Sequence, residues 1–294
     1  MTAMVDSLRQ GGTLRGVLLM TLAGAFFAAM HSGIKYTASE IHPIEIAFFR
    51  AFLSLPMLLP VVWRLGFRTM WPRRPGLVLT RGLLQSVSMM AWFSALALIP
   101  LAEATALNFT VPVITAAAAI FVYREAPRPH RWIAIALGFA GALIVIRPGF
   151  EVVNTGTLLV LTAAVSLTFA RLIVKTLLKT ESNAAIVVWL GLIVSPVTFV
   201  ASLFVWTWPT PEQFVLLVFI AAMGTGGHLC WNQAYRDGDI AAVEPLTFVR
   251  LIFAALCGYL LFAEVPTLWT WLGAGTIIAG ATLLAVKERK PSAP

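Results

Sequence analysis

Ten apolar runs of membrane-spanning length follow one another along almost the whole chain. Charged residues, Pro or Gly bound them, and they cover residues 14–34, 43–63, 76–98, 102–122, 130–147, 156–175, 184–206, 212–235, 240–262 and 267–286. Because the hydrocarbon core of a bilayer offers no partner to a backbone N–H or C=O group, runs of this length must fold as helices. The sequence therefore predicts an all-α polytopic membrane protein with ten transmembrane helices.

The composition excludes a soluble protein. Hydrophobic residues make up 59% of the chain and charged residues 12%, whereas soluble chains are about 25% charged. The net charge of +8 is divided into short clusters between the apolar runs, so it indicates membrane topology and no nucleic-acid partner. Residues 1–13 lack the basic start and cleavage site of a signal peptide, and we expect the first span to be retained.

The end of the first half of the chain recurs in the second half. When residues 92–146 are placed on 231–285 without a gap, the matched pairs include Trp92 and Trp231, Phe109 and Phe248, Glu125 and Glu264, Pro127 and Pro266, and Trp132 and Trp271. Repeats in a polytopic protein are typical of two halves that enclose a site and move against each other. We assign five helices to residues 14–147 and five to 156–286, between terminal segments 1–13 and 287–294.

The distribution of Lys and Arg predicts the orientation of the spans. With a cytoplasmic N-terminus, sixteen basic residues fall in inner segments and two, Lys35 and Arg147, in outer segments. Both termini are therefore predicted to be cytoplasmic. Since five is an odd number, two related five-helix halves must cross the membrane in opposite senses, as inverted repeats around a central cavity. Such halves give alternating access a natural basis.

Several motifs that occur in both halves carry a family resemblance. They are Trp92–Leu96, Ala102–Pro112, Tyr123–Glu125, Gly138–Ala142, Trp231–Tyr235, Ala242–Pro245, Phe262–Glu264 and Gly273–Ala281, with Phe48–Arg50 near the start of span two. With them the chain resembles the EamA-type ten-helix exporters of the drug/metabolite transporter superfamily, especially the aromatic amino-acid exporters. The resemblance implies a bacterial inner-membrane protein whose cavity is lined mainly by helices one, three, four, six, eight and nine. It also implies that amino acids are moved from cytoplasm to periplasm.

Two stripes of polar and aromatic residues are candidates to line this cavity. On span eight the stripe is His228, Trp231, Asn232 and Tyr235, and on span three it is Gln85, Ser88 and Trp92. Their spacings place each stripe on one helical face. A stripe of this kind faces a watery cavity or forms a packing seam with satisfied polar groups; we favour the cavity. On span four, Asn108 and Pro112 interrupt the apolar run near mid-depth.

Charged residues inside the spans are functional candidates, because charge in a bilayer is costly. Arg250 lies about ten residues into span nine, or roughly 15 Å deep, where it could bind a substrate carboxylate or form a structural ion pair with Glu244. Glu244 could instead bind a substrate ammonium, take a proton or stabilise a helix N-terminus. We expect Arg50 to pair structurally with Glu45 or Glu103, and Arg171 to reach towards the interface.

The same residues argue against other classes of protein. The four histidines are isolated from metal-ligand spacing, both cysteines lie in apolar runs, and no HExxH or GxSxG motif is present. We therefore expect no metal, no cofactor and no enzymatic activity, and scattered single polar sites favour a carrier over a channel. Alternative cargoes on the same fold are purines, sugar derivatives and cationic drugs. We expect a monomer, with a dimer as the alternative.

Overall fold

The computed structural model describes residues 2–66, 71–122, 129–147, 154–177, 179–181, 183–237 and 244–287, all built from helices and short connections. The first half contains α1 (Thr2–Thr37), α2 (Pro43–Leu65), α3 (Pro75–Leu98), α4 (Leu101–Asn108), α5 (Val111–Val122) and α6 (Pro129–Ile146). The second half contains α7 (Thr155–Leu177), α8 (Asn183–Ser202), α9 (Pro211–Asp237), a 3₁₀ turn (Glu244–Phe248), α10 (Val249–Phe262) and α11 (Leu268–Lys287). The predicted all-helical fold is confirmed.

The helices differ in how well each one matches a bilayer. By length and composition four stretches are long and apolar enough to cross a membrane: Leu14–Thr37, Thr155–Val174, Ala185–Ser202 and Pro211–Ala234. Four shorter apolar stretches accompany them: Leu101–Thr115, Trp132–Ile146, Leu246–Phe262 and Leu268–Leu283. Only the described residues enter this comparison. The shorter stretches belong to predicted spans four, five, nine and ten.

The fourth span of each half departs from a continuous α-helix. In the first half α4 ends at Asn108 and α5 begins at Val111, and in the second half the 3₁₀ turn leads directly into α10 at Val249. Phe109, at the first break, is the repeat counterpart of Phe248. Pro112 supplies part of the cause, because it lacks the N–H group that the Asn108 carbonyl would otherwise accept. Residues 240–243 of the predicted span nine lie outside the described residues.

The two halves pack about a pseudo-two-fold axis. Helices α6 and α11, the last of each half, contact each other through small residues. A Cβ atom added at Gly141 would lie 2.7 Å from the Gly273 carbonyl oxygen, and one added at Gly280 would lie 2.9 Å from the Ala134 oxygen. The gapless repeat relates Gly141 to Gly280 and Ala134 to Gly273, so these two contacts are equivalents of each other. Helix pairs α1 with α9 and α3 with α7 follow the same relation.

An ion pair joins the two halves at one end of the bundle. The Lys35 ammonium lies 2.6 Å from Glu264 Oε1 and donates to the Ile99 carbonyl at 2.7 Å. Glu264 Oε2 accepts the Leu101 backbone N–H at 2.9 Å, which satisfies a free donor at the start of α4. Ala263, with φ of 52°, turns the chain at the end of α10 and so directs Glu264 towards this contact. Helices α1, α4 and α10 are thereby fixed together at the predicted periplasmic end.

Candidate functional site

The helix break at Phe109 lies against the junction of the 3₁₀ turn and α10 at Phe248. The rings of Phe109 and Phe248 meet edge to face with centroids 5.0 Å apart, and the Arg250 guanidinium carbon lies 5.4 Å from the Phe109 centroid. A cation over an aromatic face is stabilised by the ring quadrupole. Discontinuous helices at a repeat interface are typical of substrate sites in secondary transporters, because they leave backbone groups free inside the membrane. A substrate site is therefore expected beside Phe109 and Phe248.

Helices α1 and α9 bring aromatic side chains to the same region. Phe27 lies edge-on to the rings of His228 and Trp231, with centroid distances of 5.0 and 6.0 Å. Gly227 allows this approach, since a Cβ atom there would come within 2.9 Å of the Phe27 ring. The absence of a side chain at Gly227 thus lets α1 approach α9 closely enough for the aromatic stripe to contact the first helix.

A buried histidine connects α1 to α3. The Trp92 indole N–H donates to His31 Nε2 at 3.3 Å, and the two rings are T-shaped with centroids 5.3 Å apart. Because Nε2 accepts this bond, the proton of the neutral imidazole belongs on Nδ1. The Nδ1 atom is buried and has no hydrogen-bond partner. His31 therefore presents an unused donor to the interior.

Two arginines act on His31. Arg50 and Arg250 both lie close enough for their charges to reach it. Arg50 is seated on α9, where a Cβ atom added at Gly224 would lie 3.3 Å from its Nε atom. Arg50 and Arg250 are half-buried and His228 is exposed, so the surrounding helices leave part of each side chain uncovered.

No carboxylate among the described residues neutralises these arginines. Neither Arg50 nor Arg250 forms an ion pair or side-chain hydrogen bond there, and Arg250 Nε is buried without a partner. The expected pair of Arg50 with Glu45 is wrong: Glu45 Oε2 accepts the backbone N–H and the hydroxyl of Thr207, both at 3.1 Å. Arg171 is exposed, and its charge acts on Arg250.

The structure brings some of the predicted site residues together and leaves others apart. Trp92, His228, Trp231 and Arg250 belong to the cluster around His31 and Phe109. Ser88 is used for helix pairing, since its hydroxyl donates to the Ala163 carbonyl on α7 at 2.9 Å. No hydrogen bond or ring contact to the cluster is made, among the described residues, by Gln85, Asn108, Pro112 or Asn232. The side chains of Tyr235 and Glu244 lie outside the described part.

Sequence reasoning missed several members of the cluster. His31, Phe27 and Phe109 were not among the predicted site residues. One signal for Phe109 was present in the sequence: it is an aromatic residue that recurs at the equivalent position, Phe248, beside a Pro that interrupts the helix. The resemblance implied helices one, three, four, six, eight and nine as the lining, whereas Arg50 adds a side chain from helix two.

A separate groove lies between α3, α5 and α7. Its volume is about 330 Å³, and it is lined by Thr80, Leu84, Val122, Phe169, Leu172, Ile173 and Thr176. None of the predicted site residues borders it. The lining has two hydroxyl groups and no charge, so this groove lacks the groups that would orient a polar cargo.

Comparisons with known proteins agree with this architecture. The model of the EamA-like transporter family matches residues 14–147 and again residues 154–286. The chain belongs to the EamA-like transporter family. This confirms the predicted drug/metabolite transporter fold, and the family's named members are transporters and not enzymes. EamA proteins are multi-pass membrane proteins, as the apolar runs predicted.

Individual relatives cover nearly the whole chain. A Rickettsia conorii protein named S-adenosylmethionine uptake transporter is 31% identical over 261 residues, 87% of each chain. A Vibrio cholerae protein named riboflavin transporter is 29% identical over 284 residues, 95% of each chain. A solved structure described only as the crystal structure of a protein superposes with a TM-score of 0.60 at 16% identity, covering 95% of this chain and 98% of the other. The last likeness concerns the fold alone.

Proposed function

We propose that this EamA protein carries an amino-acid-like metabolite with a heteroaromatic ring into the cell, and that S-adenosylmethionine is the substrate to test first. The observation that carries the proposal is the cluster itself. Phe27 contacts Trp231, and Trp92 contacts His31. Arg250 lies over the Phe109 ring and has no carboxylate partner among the described residues. Aromatic side chains stack on flat rings, and a guanidinium holds a carboxylate through two parallel hydrogen bonds. S-adenosylmethionine offers both an adenine ring and an α-carboxylate.

The names of the relatives support this cargo and this direction. Four Rickettsia proteins named S-adenosylmethionine uptake transporter are 28–31% identical over at least 87% of the chain. Their names do not support the amino-acid export predicted from the sequence. S-adenosylmethionine carries an α-amino-acid group, but none of these relatives is named for simple amino acids or for export. We therefore infer inward transport across the bacterial inner membrane, with both termini cytoplasmic.

Riboflavin is the second candidate. Three bacterial relatives named riboflavin transporter are 27–29% identical over at least 92% of the chain, and the aromatic residues at the cluster suit a three-ring flavin. Riboflavin has no carboxylate, however, that could pair with Arg250. For that reason riboflavin is the second candidate and S-adenosylmethionine the first.

A counterflow assay in proteoliposomes tests the proposal. Vesicles preloaded with unlabelled S-adenosylmethionine, riboflavin or tryptophan are diluted into each labelled compound in turn, with protein-free vesicles as the blank. We expect S-adenosylmethionine to accumulate, and Trp231→Ala to reduce its accumulation at least tenfold. The matched control is Trp63→Ala, because Trp63 is 80% exposed. Accumulation of riboflavin or tryptophan but not of S-adenosylmethionine would contradict the proposed cargo.

A further inference from the structure

Two hydrogen-bond donors in the cluster lack acceptors. Arg250 Nε and His31 Nδ1 are both buried and unpartnered. A buried donor without an acceptor is costly, and such groups in folded proteins require an explanation. Trp92 occupies the other nitrogen of His31 and fixes which nitrogen carries the proton. Both unused groups are therefore donors, and a ligand that satisfies them must supply acceptor atoms.

The charge around these donors selects an anion. Both arginines approach α1 near His31: a Cβ atom added at Gly24 would lie 3.5 Å from the Arg250 backbone N, and one added at Gly224 would lie 2.7 Å from Met30 Sδ and 3.3 Å from Arg50 Nε. Neither arginine is paired with a carboxylate among the described residues. The Arg250 guanidinium carbon lies 5.4 Å from the Phe109 ring centroid, and no side-chain hydrogen bond among the described residues uses its N–H groups. A carboxylate matches a guanidinium edge with two oxygens. Uncharged acceptors would satisfy the donors and leave the positive charge uncompensated.

The position of Arg250 is peculiar to the second half. In the gapless repeat its counterpart is Val111, a buried residue at the start of α5. The contacts between α6 and α11 follow the pseudo-two-fold relation, whereas the charge of Arg250 has no counterpart in the first half. A single asymmetric anion site gives a cargo one defined orientation in an otherwise symmetric cavity.

We propose that Arg250, His31 and Arg50 form a carboxylate-binding subsite, in which Arg250 makes the direct contact and Arg50 adds positive potential. The identity of the cargo rests on the proposed function. The carboxylate-binding subsite would be present whichever carboxylate compound is carried. It assigns the carboxylate to the junction of the 3₁₀ turn and α10, and the ring system of the cargo to the aromatic side chains of α1 and α9. A cargo that lacks a carboxylate is predicted to be discriminated against.

Matched pairs of compounds test the discrimination. S-adenosylmethionine is compared with its decarboxylated form, and tryptophan with tryptamine, as competitors in binding to the purified protein. We expect removal of the carboxylate to weaken binding of the transported compound about tenfold to a hundredfold, as for a lost charged hydrogen-bond pair. Arg250→Gln should abolish this difference in binding. Arg250→Lys should retain part of it, because the lysine ammonium keeps the positive charge but cannot bind both carboxylate oxygens in the bidentate geometry of a guanidinium. Arg73→Gln, at an exposed position, is the control.

A second arm assumes no cargo. Thermal unfolding of the wild type and of Arg250→Gln is measured with acetate, glycine and succinate, against chloride at the same ionic strength. The subsite predicts that carboxylates raise the wild-type Tm but not that of the variant. Because Arg250→Gln also removes the contact of the guanidinium with Phe109, each protein is compared with its own chloride control. Equal binding of parent and decarboxylated compounds, or the same carboxylate response in the wild type and the variant, would overturn the inference. Failure of S-adenosylmethionine transport with a positive carboxylate response would overturn only the cargo.

Discussion

Substitution of Glu264 by Gln isolates the charge of the ion pair that joins the two halves. The glutamine keeps an oxygen for the Leu101 N–H, so the hydrogen bond at the start of α4 is conserved. What is lost is the charge opposite Lys35, which then retains the Ile99 carbonyl and the Phe262 ring at 5.6 Å. The change therefore measures the ion pair and not the helix cap.

The expected cost follows from the burial of the pair. Each side chain is 15% exposed, so the pair lies between a surface bridge, worth up to about 1 kcal/mol, and a fully buried pair, whose disruption costs about 3–5 kcal/mol. We expect Glu264→Gln to lower the free energy of unfolding by about 2 kcal/mol. Lys35→Met should cost a similar amount, and the double variant less than the sum, because neither charge is then left alone.

The assay is a double-mutant cycle on unfolding in a denaturing detergent. Glu212→Gln is the control, since Glu212 is exposed in the first turn of α9 and its charge is worth at most about 1 kcal/mol there. A coupling energy of about 2 kcal/mol between Lys35 and Glu264 is the predicted result. Additive effects, or a Glu264→Gln cost equal to that of the control, would refute the assignment of a stabilising ion pair.

Three further predictions concern the scaffold and the site. Ala263→Gly should raise the free energy of unfolding by about 1 kcal/mol, because Ala263 adopts a left-handed conformation that favours glycine; thermal denaturation checks this. Gly141→Ala should destabilise the α6–α11 contact by about 1–3 kcal/mol, because the added Cβ meets backbone atoms of α11. Gly275→Ala is the control: no atom lies within 4 Å of its added Cβ, so it should be neutral or slightly stabilising. Thermal denaturation of both variants measures the difference. Trp92→Phe removes the donor to His31 and should cost about 1 kcal/mol; an unchanged unfolding curve would contradict the bond.

The scaffold was predictable because it rests on long-range patterns in the sequence. Apolar runs of bilayer length dictate helices, and the gapless match of residues 92–146 to 231–285 predicted which helices correspond. The close contact of α6 with α11 also follows from small residues such as Gly141 and Gly280. The break at Phe109 and the 3₁₀ turn before α10 were not predicted, because hydropathy does not register a local change in backbone hydrogen bonding.

The site was predictable in part, for a different physical reason. Arg250 stands out in sequence because a charge is costly in lipid, and Trp231 because it shares a helical face with the polar residues His228 and Asn232. The partners they meet depend on helix packing: Phe27 reaches Trp231 only because Gly227 lets α1 approach α9. Likewise Arg50 lacks the expected acid because Glu45 accepts hydrogen bonds from Thr207. The sequence indicates the depth of Arg50 and Glu45 along the helix they share. It does not give the direction in which each side chain points, and in the structure Glu45 points towards Thr207.

The concentration dependence of S-adenosylmethionine uptake into proteoliposomes tests the central claim most directly. If the protein is a carrier with one substrate site, at Arg250, between two moving halves, the initial rate of uptake should saturate with external substrate. The rate should also rise when the vesicles contain unlabelled substrate. Arg250→Gln should shift the half-saturating concentration upward at least tenfold, with the Arg73→Gln control unchanged. A rate that increases linearly without saturation, and is indifferent to internal substrate, would contradict alternating access at this site.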